Sequence, residues 1–162
     1  MRDKIWYALG DAKKGEEYLG LYSMRVKSIR KIYKIIIIII AALGLILWKV
    51  WQPMSVIACL LILIGEIATK MEKQIVMTDA NVIKLGDLRI KYIDLFNHLD
   101  RLWSDFNDEC LSDDEIKKIY SEILQEKREI EELDNELYIP RVKKLDRQAE
   151  NITLHYLNNH YG

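Results

Sequence analysis

The chain has 162 residues, 50% of them hydrophobic and 30% charged, with a net charge of -1. That composition excludes a disordered, collagen-like or disulfide-stapled chain, and only 2 Pro and 7 Gly argue against a turn-rich all-β fold. The near-neutral total hides three unlike blocks. Residues 1–34 carry 9 Lys/Arg against 4 Asp/Glu, residues 35–65 carry Lys49 alone, and residues 66–162 carry 14 Lys/Arg against 21 Asp/Glu.

The N-terminal block reads as one amphipathic helix over residues 1–31. Ile5, Leu9, Ala12, Leu19, Tyr22, Val26, Ile29 and Tyr33 recur at three- and four-residue steps, with a gap at Gly15 and Glu16. Gly10, Gly15 and Gly20 weaken the helix and suggest a bend. Its apolar stripe suits either packing on later helices or a separate coiled coil. The opening Met1-Arg2-Asp3-Lys4 is not that of a signal peptide, because the first apolar run starts only at Ile35 and no Ala-x-Ala site follows it.

The middle block, residues 32–70, is expected to form a transmembrane hairpin with spans at about 32–50 and 53–69. Six consecutive isoleucines, Ile35 to Ile40, leave no polar face, whereas a soluble helix rarely buries every side. Neither charge-free run alone reaches the usual ~20 residues of a span. Lys34 and Lys49 can extend the first by snorkelling. A single span through both runs would bury Lys49 at about 2.5–3.5 kcal/mol. Gln52-Pro53 supplies a turn instead, with Trp48 and Trp51 beside it at headgroup level. The alternative is a buried hairpin in a soluble protein. Arg25, Lys27, Arg30, Lys31 and Lys34 precede the first span, and Lys70 and Lys73 follow the second. By the positive-inside rule both termini are cytoplasmic. Trp48, Lys49, Trp51, Lys34, Arg30 and Lys31 are the expected interface anchors, with anionic lipid rather than nucleic acid as partner.

Along the second span, Ser55, Ala58, Cys59, Ile62, Gly65, Glu66 and Thr69 gather most small and polar groups on one stripe. Such a stripe suits close helix packing, including against Ala41 and Gly44 of the first span. It also suits the water-lined interior of a homo-oligomer, and both readings stay open. Two distant cysteines, Cys59 and Cys110, match no zinc or redox spacing and read as reduced thiols.

Residues 71–162 read as a cytoplasmic helical bundle or coiled coil. Ile75, Val82, Leu85, Leu88, Tyr92, Leu95, Phe96, Leu99, Leu102, Trp103 and Phe106 continue the helical period, so the second span is expected to run on as one long helix ending near Cys110. Ser112-Asp113-Asp114-Glu115 is a capping box. The helix it opens carries Ile116, Ile119, Tyr120, Ile123, Leu124, Ile130, Leu133 and Leu137, with the acidic run from Glu126 to Glu136 on a solvated face. Pro140 is placed in the first turn of a last helix bearing Val142, Leu145, Ala149, Ile152 and Tyr156. The final residues, Asn158 to Gly162, are expected to fray.

No P-loop, dinucleotide fingerprint, zincin motif or nucleophile elbow is present. Asp94 and His98 share a face but make a poor metal site. The chain is therefore read as a non-enzyme without metal or cofactor.

The layout resembles the SLATT domain, a two-transmembrane effector module of prokaryotic conflict systems. The features that carry the resemblance are an N-terminal helix ending in MRVKSIRKIYK, the short hairpin with its Trp-x-x-Trp turn, and the EIATKMEKQI continuation. The Leu102-Trp103 region, the EKREIEEL helix and the Tyr138-Ile139-Pro140 break complete it. The resemblance implies an antiphage membrane effector of the inner membrane. Such a protein oligomerises and forms a pore or disrupts the membrane when a sensor protein, or a nucleotide second messenger of the same system, reports infection. Cell death or arrest follows. The alternative is a non-enzymatic membrane-anchored scaffold that recruits a cytosolic partner.

Overall fold

The computed structural model describes residues 1–50, 59–67, 77–108 and 111–161, side chains of 44–50 excepted. Among these residues the chain is all-α, without a strand. Its elements are α1 (Arg2–Val50), α2 (residues 59–67), α3 (Asp79–Asn107), α4 (Asp113–Leu137) and α5 (Lys143–Tyr161). They fall into two units, one of Met1–Ser23 with Ala80–Gly162 and the other of Met24–Asp79. Residues 1–23 therefore belong to the same unit as α3, α4 and α5, which is the packing alternative for the N-terminal stripe.

The first unit is a four-helix bundle. Trp6 packs against Trp103 with tilted rings 5.1 Å apart and Gly15 faces Tyr92, so α1 and α3 run antiparallel. Trp6 also meets Tyr161 edge-on, and Lys14 reaches Asp146 and Glu150, so α5 is antiparallel to α1 as well. Between α3 and α4, Lys84 pairs with Glu136, Lys91 with Glu129 at 3.4 Å, and His98 with Glu126 at 2.9 Å. The acidic run of α4 is a solvated face, as expected, and from it three glutamates also reach across to α3. Exposed pairs of this kind contribute about 0.2–1 kcal/mol each.

Apolar burial stabilises the bundle more than these pairs do, at roughly 1.5–3 kcal/mol for each fully buried large side chain. Ile5, Leu9, Leu85, Leu88, Leu99 and Leu102 are sealed from solvent. On α3 the core positions Leu85, Leu88, Tyr92, Leu95, Leu99, Leu102 and Phe106 keep a strict alternation of three and four, the pattern of a coiled-coil seam. On α4 one row, Ile116, Ile123, Ile130 and Leu137, is buried at seven-residue intervals.

Element ends follow local chemistry. Ser112 caps α4 as expected: its hydroxyl accepts from the Glu115 N–H, and its own N–H donates to Glu115 Oε2 at 2.9 Å. Tyr138 closes α4 in the left-handed conformation at φ 47°, its N–H donating to the Asn135 carbonyl.

Several expectations are corrected. The long helix from the second span does not pass unbroken into α3, because Met77 and Thr78 are non-helical and α3 starts at Asp79. Thr78 is a favoured residue just before a helix, and Asp79 complements the first-turn dipole. Pro140 lies before α5, not in its first turn. Ile152 is exposed, and Thr153 and Leu157 are buried instead. The glycines do not interrupt α1. Residues 158–161 stay helical because the Tyr161 hydroxyl donates to Asp100 and its ring packs on Trp6.

Candidate functional site

Two regions carry the features expected of a working surface, one in each unit. In the second unit, Ile32, Ile35, Ile36, Ile38, Ile39 and Leu43 of α1 are exposed, as are Leu60, Ile62, Leu63, Ile64 and Ile67 of α2. Arg25, Lys27, Lys31 and Lys34 are exposed on the same α1 segment. Arg30 is instead tied to Asp79 at 2.5 Å, so its guanidinium is already engaged.

Of the small and polar stripe, Cys59, Ile62 and Glu66 are exposed and Cys59 is a free thiol. Gly65 is half-buried, and a Cβ there would lie 3.7 Å from the Ile40 methyl Cγ2. It packs toward Ile40, while the expected neighbour Ala41 is exposed. Ser55, Ala58, Trp51, Thr69, Lys70 and Lys73 lie outside the described residues, as do Ile75, Cys110 and the side chains of Gly44, Trp48 and Lys49. Among the described residues no helix is long and apolar enough to cross a membrane. The expected spans of about 32–50 and 53–69 both run into the excluded positions.

In the bundle, a cleft of about 420 Å³ opens between α1, α3, α4 and the α4–α5 connection. Its existence follows from the second core row of α4. Alongside the isoleucine row, the positions that would complete the seam are Tyr120, Lys127 and Asp134. These half-buried polar residues face a floor of Leu95 and Leu99 from α3 and the small Ala8, Ala12 and Gly15 from α1.

One wall is held by Tyr18. Its hydroxyl donates to the Pro140 carbonyl at 2.6 Å and accepts from the Val142 N–H at 2.9 Å, which fastens the α4–α5 connection to α1. The Tyr92 ring lies over Gly15. Burial chiefly, with the charges of Asp134, Glu131 and Asp11 acting against that of Arg141, pushes the Tyr92 phenol up to about 12. Burial likewise holds the Asp134 carboxyl above its ordinary value, with Arg141 opposing. Lys14 is paired with Asp146 and Glu150. Among the described residues no ion pair closes on Asp11, Lys127, Glu131, Asp134 or Arg141.

A second polar arrangement lies beside it. The Lys13 ammonium is buried over the rings of Tyr156 at 4.6 Å and Phe96 at 5.4 Å, bonded to Glu16 at 2.8 Å and Glu17 at 3.1 Å. Burial alone would lower its pKa, but the two glutamates together raise it. Among the described residues no three His, Cys, Asp or Glu side chains gather as metal ligands. His98 meets Glu126 rather than Asp94.

The helical periods of the sequence do not reveal this cleft, nor Tyr18, Tyr92 or Lys13 as organising residues. The available signal was Tyr120, Lys127 and Asp134 standing where a heptad seam calls for apolar side chains. Comparison with protein-family models, with curated proteins and with solved structures returns no match.

Proposed function

We propose that the chain is a membrane effector of an antiphage defence system, with the Met24–Asp79 unit as its bilayer-engaging part and the bundle as its receiving part. The observation that carries this reading is the run of exposed large aliphatic side chains on α1 and α2. Ile38 is 66% exposed, and Leu60 and Leu63 are each 54% exposed. Patches of that kind on a soluble monomer mark a membrane or partner surface. The exposed Arg25, Lys27, Lys31 and Lys34 beside it support an anionic cytoplasmic leaflet as that surface. On this reading both termini are cytoplasmic in the inner membrane. Copies of the chain assemble, and a sensor protein or nucleotide signal triggers permeabilisation.

Expression in a bacterial host with a membrane-potential dye tests it. The expected result is a chain that resists carbonate extraction and depolarises the membrane when triggered with its neighbouring genes. Gly65 and Glu66 substitutions should change that response more than Leu60 or Leu63 substitutions. Release by carbonate without detergent would overturn the membrane reading. Retention with unchanged permeability would replace the effector with a membrane-anchored scaffold.

A further inference from the structure

The geometry points to the bundle cleft as a binding site for a small organic cation, an ammonium carried on an apolar or aromatic body. The bundle already shows how it holds such a group. Lys13 rests its ammonium on two aromatic rings, with two carboxylates completing the shell. Aromatic faces attract cations through their quadrupole, and the attraction grows when water is excluded. The cleft gathers the same kinds of group, with Tyr92 and Tyr120 in its lining beside three carboxylates, the half-buried Asp134 and the exposed Asp11 and Glu131. Among the described residues no lysine or arginine closes an ion pair on any of those three acids. The leucine and alanine floor suits an apolar body, and about 420 Å³ lies within the range of small-molecule sites.

Arg141 is the internal competitor. Its charge opposes those of the acids at both Tyr92 and Asp134, yet it stops short of an ion pair. An incoming cation would take over the neutralisation that Arg141 supplies only in part. With Lys14 paired to Asp146, the lining sets Lys127 and Arg141 against Asp11, Glu131 and Asp134, a net negative charge that disfavours anionic ligands. Among the described residues bare metal ions lack a converging ligand set. This inference is independent of the membrane reading, since every residue in it belongs to the bundle unit.

Calorimetric titration of the full chain, kept in non-ionic detergent, tests it with three ligands that share an indole ring. These are tryptammonium, indole-3-propionate and tryptophan. Tryptammonium should bind with a dissociation constant of about 1 mM or tighter, and indole-3-propionate at least about tenfold more weakly. Asp134→Asn and Glu131→Gln should each weaken tryptammonium binding by about tenfold, the worth of one charge-assisted contact. Arg141→Ala should strengthen it, which a purely structural role for Arg141 would not produce. Any of four results would overturn the assignment outright: no tryptammonium binding, indole-3-propionate binding as tightly as tryptammonium, binding unchanged in both acid variants, or weaker binding in Arg141→Ala. Tighter binding of tryptophan than of tryptammonium would overturn it in favour of a zwitterion.

Discussion

The ring of Tyr92 occupies the space that a Cβ at Gly15 would need. Such an atom would stand 2.6 Å from Cδ1 and 2.9 Å from Cζ, and closer still to Cε1. Two helices therefore meet through a residue without a side chain, and the close approach sets the depth of the cleft wall. Gly15→Ala should destabilise the fold. Overpacking costs about 1–3 kcal/mol, against a helix-propensity gain of up to about 1 kcal/mol. Gly86 is the control, because nothing lies within 4 Å of its Cβ position. Gly86→Ala should stabilise by about 1 kcal/mol in the same urea titration. Pairing Gly15→Ala with Tyr92→Ala should remove the clash, and a double-mutant cycle would read the coupling.

Asp134 should make stability depend on pH in a direction opposite to most carboxylates. Its folded-state pKa lies above the ordinary 3.8 because of burial. Folding thus favours the protonated form. The contribution is fully present below the ordinary value and is lost as pH rises through the raised folded value. Asp134→Asn should raise the Tm at neutral pH, and the gap to the parent protein should close in acid. A pH series of thermal melts checks this.

Tyr18→Phe removes both a donor and an acceptor from the α4–α5 connection. The half-buried Val142 N–H then loses its partner, which costs about 1–3 kcal/mol for a group left unsatisfied. Hydrogen exchange should accelerate first at residues 139–143, ahead of the α3 core. Unchanged exchange there would show that the hydroxyl does not hold the connection.

Tyr138 sits at φ 47° and is 89% exposed, so its side chain adds little packing. The left-handed conformation costs a non-glycine residue about 1–2 kcal/mol. Tyr138→Gly should therefore stabilise the protein by about 0.5–1 kcal/mol after the entropy of an unfolded glycine is subtracted. Chemical denaturation with an unchanged m value would be the matching result.

Much of the bundle is legible in the periodicity. Leu85, Leu88, Leu95, Leu99 and Leu102 sit where the three-and-four spacing puts them, and the Ser112 capping box needs only its two residues. What escapes is set by contacts across the fold. The apolar stripe of α1 does not say which helices it meets, and Lys13 reads as a surface charge until Glu16, Glu17, Phe96 and Tyr156 surround it. The break at Thr78 is encoded locally but is a weak signal beside the strong period of the flanking helices. Thr153 is buried in place of Ile152 because α5 packs through a row at four-residue steps, Leu145, Ala149, Thr153 and Leu157. The cleft arises from polar residues at seam positions, and a pattern read one helix at a time treats these as solvated.

The two lysine rungs of the charge ladder between α3 and α4 behave like ruler marks that are alike. Lys84 and Lys91 are seven residues apart, and so are Glu136 and Glu129. Glu122 stands a further seven along, and the buried row of α4 repeats at the same interval. Sliding α4 by one heptad would offer Glu129 to Lys84 and Glu122 to Lys91, and would keep most of the apolar row in place. The lysine rungs and the apolar row do not distinguish the two alignments, whereas a slide would put Ile119 in place of Glu126 at His98. The tie is broken by the His98–Glu126 pair and by the Tyr18 hydroxyl gripping the connection beyond Leu137. Alignment errors during folding should therefore be policed from outside the seam, and Tyr18→Phe should populate a slow, misaligned refolding species as well as a less stable native one.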